Sequence, residues 1–263
     1  MSSILEQIFA AKKLQVAEQR REKPLARLEA EAAAAPSPRD FIGALTQARP
    51  AIIAEIKRAS PSKGDILPGL DPARVAADYE AGGAAAISVL TDAHFKGSLE
   101  DLRAVRAAVS LPLLRKDFIF DVYQVYEARA AGADCILLIA AMLTDHEMKT
   151  LADKAAELGM GAVVETHTSG EFERAERIGC RLIGINNRDL HTFITDIAVT
   201  EKLLGVRRTQ ALVVSESGIE TAMDMARVFR AGARAALIGE SLLKDGQPGA
   251  RVRGLVEAFA AGD

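Results

Sequence analysis

The sequence predicts a single α/β domain in which eight parallel strands close into a barrel inside a ring of helices. From residue 50 onward an apolar run, a polar loop, a helical pattern and a glycine recur in that order, which is typical of a parallel sheet. Eight apolar runs begin between residues 51 and 235, a mean spacing of 184/7 or about 26 residues, enough for one strand and one crossover helix. The 263 residues suit one such domain. We therefore expect a (β/α)8, or TIM, barrel.

The predicted strands are short runs rich in small and branched apolar residues. In chain order they are Ala51–Ile56, Ala84–Leu90, Leu111–Leu114, Ala133–Ile139, Gly161–Val164, Arg181–Ile185, Ala211–Val214 and Ala235–Ile238. The alternative architecture is an open doubly wound sheet. It is disfavoured because no G-x-G-x-x-G turn follows the first run.

Start and stop signals delimit the helices between these runs. Asp71-Pro72 predicts an N-cap followed by proline in the first turn, and Thr144-x-x-Glu147 and Thr168-x-x-Glu171 predict capping boxes. Each predicted stop is a glycine that closes a helix in the left-handed conformation. These glycines are Gly82, Gly132, Gly159, Gly179 and Gly232. One helix should bury the face formed by Met148, Leu151, Ala152 and Ala155.

The first 50 residues precede the repeat and predict an added helical segment. Ile4, Leu5, Ile8 and Phe9 form the apolar face of a helix, and Ala32 to Pro38 is typical of a loose Ala/Pro connector. This segment is too short for a core of its own. We expect residues 1–50 to be an extension across one end of the barrel, over the catalytic face, and residues 51–263 to be the barrel.

Composition excludes several classes of function. The chain carries 33 basic and 36 acidic side chains, a net charge of −3, without the basic block interleaved with aromatic residues that nucleic-acid binding favours. The apolar run 133–142 is too short to span a bilayer. Lys12, Lys13, Arg20 and Arg21 interrupt any secretory leader, so we expect a cytoplasmic protein.

Cysteine and histidine spacing predicts no metal site. Cys135 and Cys180 are too isolated for a disulfide framework or a zinc site, and we expect both to be buried as small apolar residues. His94, His146, His167 and His191 show no metal-ligand spacing. The expected partner is a small molecule, with neither a nucleic acid nor a membrane involved. The oligomeric state, monomer or weak homo-oligomer, stays open.

Candidate catalytic residues follow the carboxyl ends of the strands, where barrels build their active sites. Glu55 and Lys57 share one face of the first strand, because side chains alternate along it. Three potential cations and three carboxylates would converge on one mouth, which is costly unless they pair with one another or with a charged substrate. They are Lys57, Lys116 and Arg188, and Glu55, Glu165 and Glu216.

A second signal follows the last two strands. Ser217-Gly218 is expected to open a helix after strand seven, and Gly239-Glu240-Ser241 follows strand eight. Barrels commonly bind a phosphate there, because glycine lets backbone N–H groups approach an anion at a helix N-terminus. This pattern predicts a phosphorylated ligand without indicating a reaction.

Five segments at these strand ends together resemble one enzyme family, indole-3-glycerol phosphate synthase. They are A-E-I-K-R-A-S-P-S-K-G at 54–64, L-R-K-D-F at 114–118, V-E-T-H at 164–167, G-I-N-N-R-D-L at 184–190 and S-E-S-G-I at 215–219. The resemblance extends over essentially the whole chain, the N-terminal segment included. Small departures occur at Ile194-Thr195 and Ser215, and neither is expected to touch a position needed for chemistry.

The resemblance implies conversion of 1-(2-carboxyphenylamino)-1-deoxyribulose 5-phosphate to indole-3-glycerol phosphate with loss of carbon dioxide and water, a carboxy-lyase reaction of tryptophan biosynthesis that needs no cofactor. It implies Lys116 as general acid, kept protonated by Glu55 and Glu165, and Lys57 as the carboxylate-binding cation. Glu165 is implied as the acid–base group of dehydration, with Lys57 and Glu55 as possible participants. The division of protons between the two lysines stays open.

The remaining implied roles concern binding. Asn186 and Glu216 would position hydroxyls, Arg188 would support the strand-six loop, and Ser60, Pro61 and Phe118 would shape the aromatic pocket. Ser217, Gly218, Gly239, Glu240 and Ser241 would hold the phosphate.

Two rival functions can be distinguished. Another phosphate-binding barrel enzyme, such as phosphoribosylanthranilate isomerase, needs one acid and one base but no carboxylate-binding lysine. A non-catalytic phosphosugar-binding barrel would be expected to lack one of the catalytic positions, which are Glu55, Lys57, Lys116, Glu165, Asn186 and Glu216, and all six match.

Overall fold

A computed structural model describes residues 4–60, 64–67, 69–189, 192–206 and 209–262. Eight parallel strands close into a barrel in which each strand pairs with its chain neighbours and β8 pairs with β1, as predicted. They are β1 Ala51–Ile56, β2 Ala86–Leu90, β3 Leu113–Lys116, β4 Cys135–Ile139, β5 Gly161–Thr166, β6 Leu182–Asn186, β7 Leu212–Glu216 and β8 Ala235–Ile238. A short antiparallel pair, Ala59–Ser60 with Gly64–Asp65, follows β1.

The helices alternate with the strands after three N-terminal helices. In the described residues they are α1 Ile4–Glu22, α2 Leu25–Ala34, α3 Phe41–Gln47, α4 Pro72–Gly82, α5 Leu99–Ala108, α6 Val122–Ala130, α7 Asp145–Glu157, α8 Ser169–Arg177, α9 Ala198–Gly205, α10 Ala222–Ala231, α11 Glu240–Leu243 and α12 Pro248–Gly262. None of these helices is long and apolar enough to cross a membrane.

Several strands run further than the apolar runs predicted. β3, β5, β6 and β7 continue into Lys116, Thr166, Asn186 and Glu216, because the backbone ladder does not depend on side-chain polarity. Four candidate catalytic side chains, Lys116, Glu165, Asn186 and Glu216, therefore project from these strands, which hold them more rigidly than loops would.

Side-chain alternation divides the core into two layers. Ala51 and Ile53 point into the barrel, whereas Ile52 and Ala54 pack against the outer helices. Glu55 is next on the inward face. The first strand thus places an acidic residue at the point where the barrel interior opens to the mouth.

Most predicted helix signals are confirmed, with three corrections. Asp71 and Thr144 cap their helices as predicted, and Met148, Leu151 and Ala155 are buried. Gly83, not Gly82, closes α4 in the left-handed conformation. Thr168 caps α8, but the Glu171 carboxylate accepts from His167 N instead of completing the box. The chain at 32–34 is helical, because Ala32 is buried in the face of α2.

The N-terminal segment contacts both ends of the barrel. Ile8, Lys12 and Val16 form the buried stripe of α1, and Ile8 reaches the mouth. Phe41 and Leu45 of α3 pack with Ala51, where β1 begins at the opposite end. The extension therefore covers the predicted face with α1 and closes the other end with α3.

The two cysteines differ in burial. Cys135 is fully buried inside the barrel, as predicted, and burial raises the pKa of its thiol. Cys180 is half-buried, because it follows the turn that ends α8 near the surface.

Candidate active site

A cavity of about 480 Å³ occupies the carboxyl-terminal mouth of the barrel. Thirteen of the fifteen candidate site residues line it: Glu55, Lys57, Lys116, Phe118, Glu165, Asn186, Arg188, Glu216, Ser217, Gly218, Gly239, Glu240 and Ser241. Ser60 is described by its backbone alone, and Pro61 lies outside the described residues. These thirteen residues come from six of the eight strand ends, and Leu90 of β2 and Ile139 of β4 also line the cavity.

Lys116 is the central cation of this cavity. Its Nζ lies 2.9 Å from Glu165 Oε2 and 3.1 Å from Glu216 Oε2. We call these three residues the inner ion cluster. Burial alone would lower the pKa of Lys116, but the charges of Glu165, Glu216 and the more distant Glu55 outweigh burial and raise it. The second contact to Lys116 is made by Glu216, whereas the sequence indicated Glu55.

The two carboxylates of the inner ion cluster hold protons unequally. Burial raises the pKa of both, but contacts with Lys116, His167 and Asn186 lower that of Glu165 to about 2. Burial and the negative charge of Glu165 dominate at Glu216 and raise its pKa to about 7, against the opposing charge of Lys116. Glu165 therefore keeps its negative charge under conditions in which Glu216 takes up a proton. The site therefore has one fixed charge and one adjustable charge on either side of a lysine.

Glu55 and Lys57 form the second pair. Lys57 Nζ lies 3.0 Å from Glu55 Oε1, which agrees with the shared strand face that the sequence predicts. Both side chains are nearly buried. Because both side chains are shielded from water, the positive charge of Lys57 would attract an incoming anion with little screening by solvent.

Two glycines make room for these carboxylates. A Cβ at Gly239 would lie 2.6 Å from Glu55 Oε1, and a Cβ at Gly184 would collide with Glu216 Oε1. Glu216 Oε1 has no hydrogen-bond partner among the described residues. A buried carboxylate oxygen without a partner is costly for stability, which is typical of a functional group.

The predicted phosphate end differs from expectation in its local structure. Ser217 and Gly218 have φ angles of 67° and 80° and lie in the turn after β7, and α10 does not begin until Ala222. Three residues thus separate this turn from the helix it was expected to open. Gly239 does cap a helix, the single turn α11, and Ser241 Oγ donates to Ile219 O at 3.2 Å, which joins the two loops.

Aromatic residues form the apolar wall of the mouth. Phe118 stacks on Phe95, with ring centroids 6.4 Å apart and planes 27° apart. Ile8 of α1 and Phe193 line the same cavity. Phe95, Phe193 and Ile8 were not among the candidate residues, because they belong to segments that carry no charged motif. A flat, apolar ring fits against this wall.

Thr195, in the loop after β6, is one of the positions that depart from the family pattern, and it contacts the site. Asn186 Oδ1 accepts from Arg188 N at 3.1 Å, and Arg188 Nε donates to Thr195 Oγ1 at 3.2 Å. Thr195 lines the cavity, contrary to expectation. Ser215 is buried below the mouth, where its Oγ accepts from Asn187 Nδ2 and lies 2.8 Å from Thr200 Oγ1.

A second set of charges lies beside the first and was missed by sequence reasoning. Arg115 contacts Asp117 at 3.0 Å and Glu127 at 2.7 Å, and Lys12 of α1 contacts Asp92 at 2.6 Å and Asp117 at 2.8 Å. We call these five residues the outer ion cluster. All are buried. The spacing Ile8, Lys12, Val16 was the available signal, since it places a lysine in the apolar stripe of α1.

His167 was also missed as a site residue. Its side chain is 8% exposed, and its Nε2 lies 3.4 Å from Glu165 Oε1. The signal was the two-residue spacing from Glu165, since His167 directly follows β5 and side chains two residues apart lie on one face of extended backbone. Among the described residues no group of histidine, cysteine and acidic side chains could hold a metal ion.

Comparisons with known proteins agree on one family. The family model described as indole-3-glycerol phosphate synthase matches residues 5–255. The chain is 50% identical over 262 residues to the protein of that name from Azoarcus sp. (strain BH72), covering 97% of this chain and 99% of the relative. It is 49% identical over 264 residues to the Microcystis aeruginosa (strain NIES-843 / IAM M-2473) protein, covering 97% and 89%.

Solved structures share the fold at much lower identity. A 3-hexulose-6-phosphate synthase from Salmonella typhimurium has a TM-score of 0.65 and 12% identity, covering 81% of this chain and 100% of that one. An N-acetylmannosamine-6-phosphate 2-epimerase from Clostridium perfringens has a TM-score of 0.61 and 18% identity, covering 77% and 90%.

Proposed function

Because the chain belongs to the indole-3-glycerol phosphate synthase family, we propose that its mouth cavity closes the indole ring of 1-(2-carboxyphenylamino)-1-deoxyribulose 5-phosphate by carboxy-lyase chemistry. The observation that carries this proposal is Lys116 held between Glu165 and Glu216. A protonated amine in that position can donate to an oxygen, and a carboxylate of different proton affinity stands on each side of it.

Charge and shape suggest how the substrate lies. The phosphate meets the loops of Gly218 and Gly239, where glycine allows close backbone approach. The aromatic carboxylate meets Lys57, and the aromatic ring lies against Phe118. This orientation places the ketone between the two ends, within reach of Lys116.

Ring closure is the first stage. The ring carbon that bears the carboxylate attacks the ketone carbon, and the ketone oxygen takes a proton from Lys116 Nζ. The bond to the carboxylate then breaks, its electron pair restores the aromatic ring, and carbon dioxide leaves. Lys57 stabilises the carboxylate until that bond breaks, and its contact with Glu55 keeps the ammonium oriented.

Dehydration is the second stage. The new hydroxyl takes a proton from one of the two lysine ammonium groups and leaves as water. Glu165 removes a proton from the adjacent ring carbon, and the electron pair of that C–H bond forms the C=C bond of the indole. The depressed pKa of Glu165 keeps it ionised before this step. Asn186 and the unpartnered oxygen of Glu216 hold substrate hydroxyls in line. Arg188 supports the loop after β6 through Thr195.

A direct assay tests the proposal. Purified protein is mixed with the carboxyphenylamino substrate, and indole fluorescence and released carbon dioxide are followed together. The chain has no Trp, so any indole signal comes from product. We expect both signals to rise in equal amounts. Absence of both would overturn the proposal, and turnover of phosphoribosylanthranilate instead would favour the isomerase alternative.

Glu165→Gln tests the role assigned to this carboxylate. We expect the first turnover to slow by about 10²-fold or more, the range for a general base that contacts substrate. Stopped-flow measurement of a single turnover separates this effect from product release. A normal first turnover would remove Glu165 from the dehydration step.

A further inference from the structure

One lysine of α1 links two loops of the barrel mouth. Lys12 Nζ lies 2.6 Å from Asp92 Oδ2, in the loop after β2, and 2.8 Å from Asp117 Oδ1, directly after β3. The lysine side chain is 3% exposed. A buried ammonium is stable only when carboxylates neutralise it, so this contact fixes α1 against both loops. Lys12 therefore connects the N-terminal extension to the catalytic face.

Asp117 holds the backbone of the residue that follows it. Its Oδ1, the atom that contacts Lys12, accepts from Phe118 N at 2.8 Å. Its Oδ2 accepts from Thr91 Oγ1 at 2.6 Å and from Arg115 at 3.0 Å. Because both oxygens are engaged by strong donors, the carboxylate has one fixed orientation. The position of Phe118 in the mouth therefore depends in part on Lys12.

Asp92 holds a second aromatic residue through a short turn. Its Oδ1 caps the 3-10 turn Ala93–Phe95 by accepting from His94 N at 2.8 Å, and its carbonyl oxygen accepts from Phe95 N at 3.1 Å. The imidazole Nδ1 of His94 lies 2.9 Å from the same Oδ1. Lys12 contacts the other carboxylate oxygen. The charge of Lys12 and the cap of this turn therefore act on one side chain.

The two rings positioned in this way stack on each other in the mouth cavity. The ring centroids of Phe95 and Phe118 are 6.4 Å apart, and we call this pair the aromatic wall. Ile8 lies four residues before Lys12, on the same face of α1, and lines the same cavity. A change at Lys12 should therefore displace both rings and the apolar residue beside them.

We propose that Lys12 is a positioning residue that sets the aromatic wall against which the ring end of the substrate binds. This inference rests on the proposed function, which places the carboxyphenyl ring on Phe118. Lys12 does not line the cavity, so it acts through Asp92 and Asp117 and without contact with the reacting atoms. Contacts with the ring are made in the ground state and the transition state alike, so they affect substrate affinity.

Lys12→Met removes the charge and keeps an unbranched side chain. We expect KM to rise about tenfold, the range for loss of one aromatic contact. The value of kcat should stay within about threefold, because loss of uniform binding raises KM alone. Initial rates followed by indole fluorescence give both constants. A purely stabilising lysine predicts the reverse, since partial unfolding reduces the amount of active enzyme and lowers apparent kcat at unchanged KM.

Two further variants show whether the effect passes through the rings. Lys12→Arg keeps the positive charge between the two carboxylates and should restore most of the parent KM. In a Phe95→Leu background the stacked pair is already lost, so Lys12→Met should raise KM further by less than about threefold. A tenfold rise in both backgrounds would overturn the inference, because the effect would then be independent of the aromatic wall.

The controls separate this inference from a folding defect and from the proposed function. Lys13→Met changes the exposed neighbouring lysine of α1 and should leave both constants unchanged. If Lys12→Met does not fold, Asp92→Asn keeps the capping oxygen, weakens the ion pair and should also raise KM at constant kcat. Parent-like KM in the folded variant would overturn this inference alone. An inactive parent enzyme would instead overturn the proposed function.

Discussion

One strand carries two charged clusters with different properties. On β3 and the residue after it, Arg115 and Asp117 point to the outer ion cluster and Lys116 points to the inner one. In the outer cluster Asp117 contacts Arg115, Lys12 and Thr91, and its pKa falls to about 2 although burial opposes the fall. In the inner cluster one lysine serves two carboxylates, and one of them is left with a raised pKa.

The two clusters show how buried charges that stabilise the fold differ from buried charges that take part in catalysis. In the outer cluster each cation contacts two carboxylates and both cations contact Asp117, so Lys12, Arg115 and Asp117 are each neutralised on more than one side. Both clusters hold one carboxylate more than cations, but all three residues of the inner cluster line the open mouth cavity, whereas of the outer cluster only Asp117 does. Glu216 Oε1 of the inner cluster also has no hydrogen-bond partner in the described part of the chain. An ion cluster that is incomplete until a substrate arrives can change its protonation during a reaction.

Lys116→Ala should give the largest effect on activity. Loss of the general acid should reduce turnover by about 10²–10⁴-fold, while a product analogue still binds. Indole fluorescence measures turnover, and calorimetry measures binding. Lys149→Ala, on the exposed face of α7, is the matched control and should be silent. Unchanged turnover in Lys116→Ala would show that the inner ion cluster, like the outer one, has a structural role and no catalytic one.

Arg115→Met should give the largest effect on stability. It leaves Asp117 and Glu127 buried without their guanidinium partner, a change that costs about 3–5 kcal/mol. Urea unfolding followed by circular dichroism measures this loss. Arg115 does not line the mouth cavity, so turnover per folded molecule should stay within about tenfold. A selective loss of turnover without loss of stability would reverse the assignment of the clusters.

Asp117→Asn should lower stability in a defined pH window. The folded pKa of about 2 is below the ordinary 3.8, so this carboxylate contributes stability that is present above pH 3.8 and lost as pH falls toward 2. The variant should be less stable by about 2 kcal/mol at pH 6, and the difference should shrink toward pH 3. Urea unfolding at both pH values measures it, with exposed Asp153→Asn as control. A difference independent of pH would refute the ionic origin.

Glu216→Gln should have the smallest effect on stability, and it should stabilise the protein where the preceding variants destabilise it. Its folded pKa of about 7 lies above the ordinary 4.5, so ionising Glu216 costs stability as pH rises from 4.5 through 7. The amide removes this cost. Thermal unfolding should therefore show the variant gaining relative to the parent from pH 5 to pH 8, with turnover reduced by no more than about tenfold. A variant that loses stability at pH 8 would place Glu216 with the structural charges.

Strand order and the mouth residues could be predicted because both follow from local rules. Apolar runs at regular spacing imply the barrel, and residues after each run must then converge on one mouth. Alternation along β1 was enough to pair Glu55 with Lys57. These properties need no knowledge of how distant segments pack.

The missed features depend on tertiary contacts between distant segments. The outer ion cluster forms only when α1 brings Lys12 onto Asp92 and Asp117. Thr195 reaches the mouth because the loop after β6 turns back to pair with Arg188. The preference of Lys116 for Glu216 over Glu55 likewise depends on strand stagger around the barrel, which spacing along the chain does not encode.

Gly184 and Gly239 have a consequence for transplanting this chemistry onto another barrel. A designer who copied every charged residue of the mouth but placed alanine at these two positions would add two methyl groups and remove none of the functional atoms. The added carbons would occupy the space of Glu216 Oε1 and Glu55 Oε1. Both carboxylates would be displaced from their lysines. A transplanted site therefore needs glycine at both positions, so that no side chain fills the space that the carboxylates occupy.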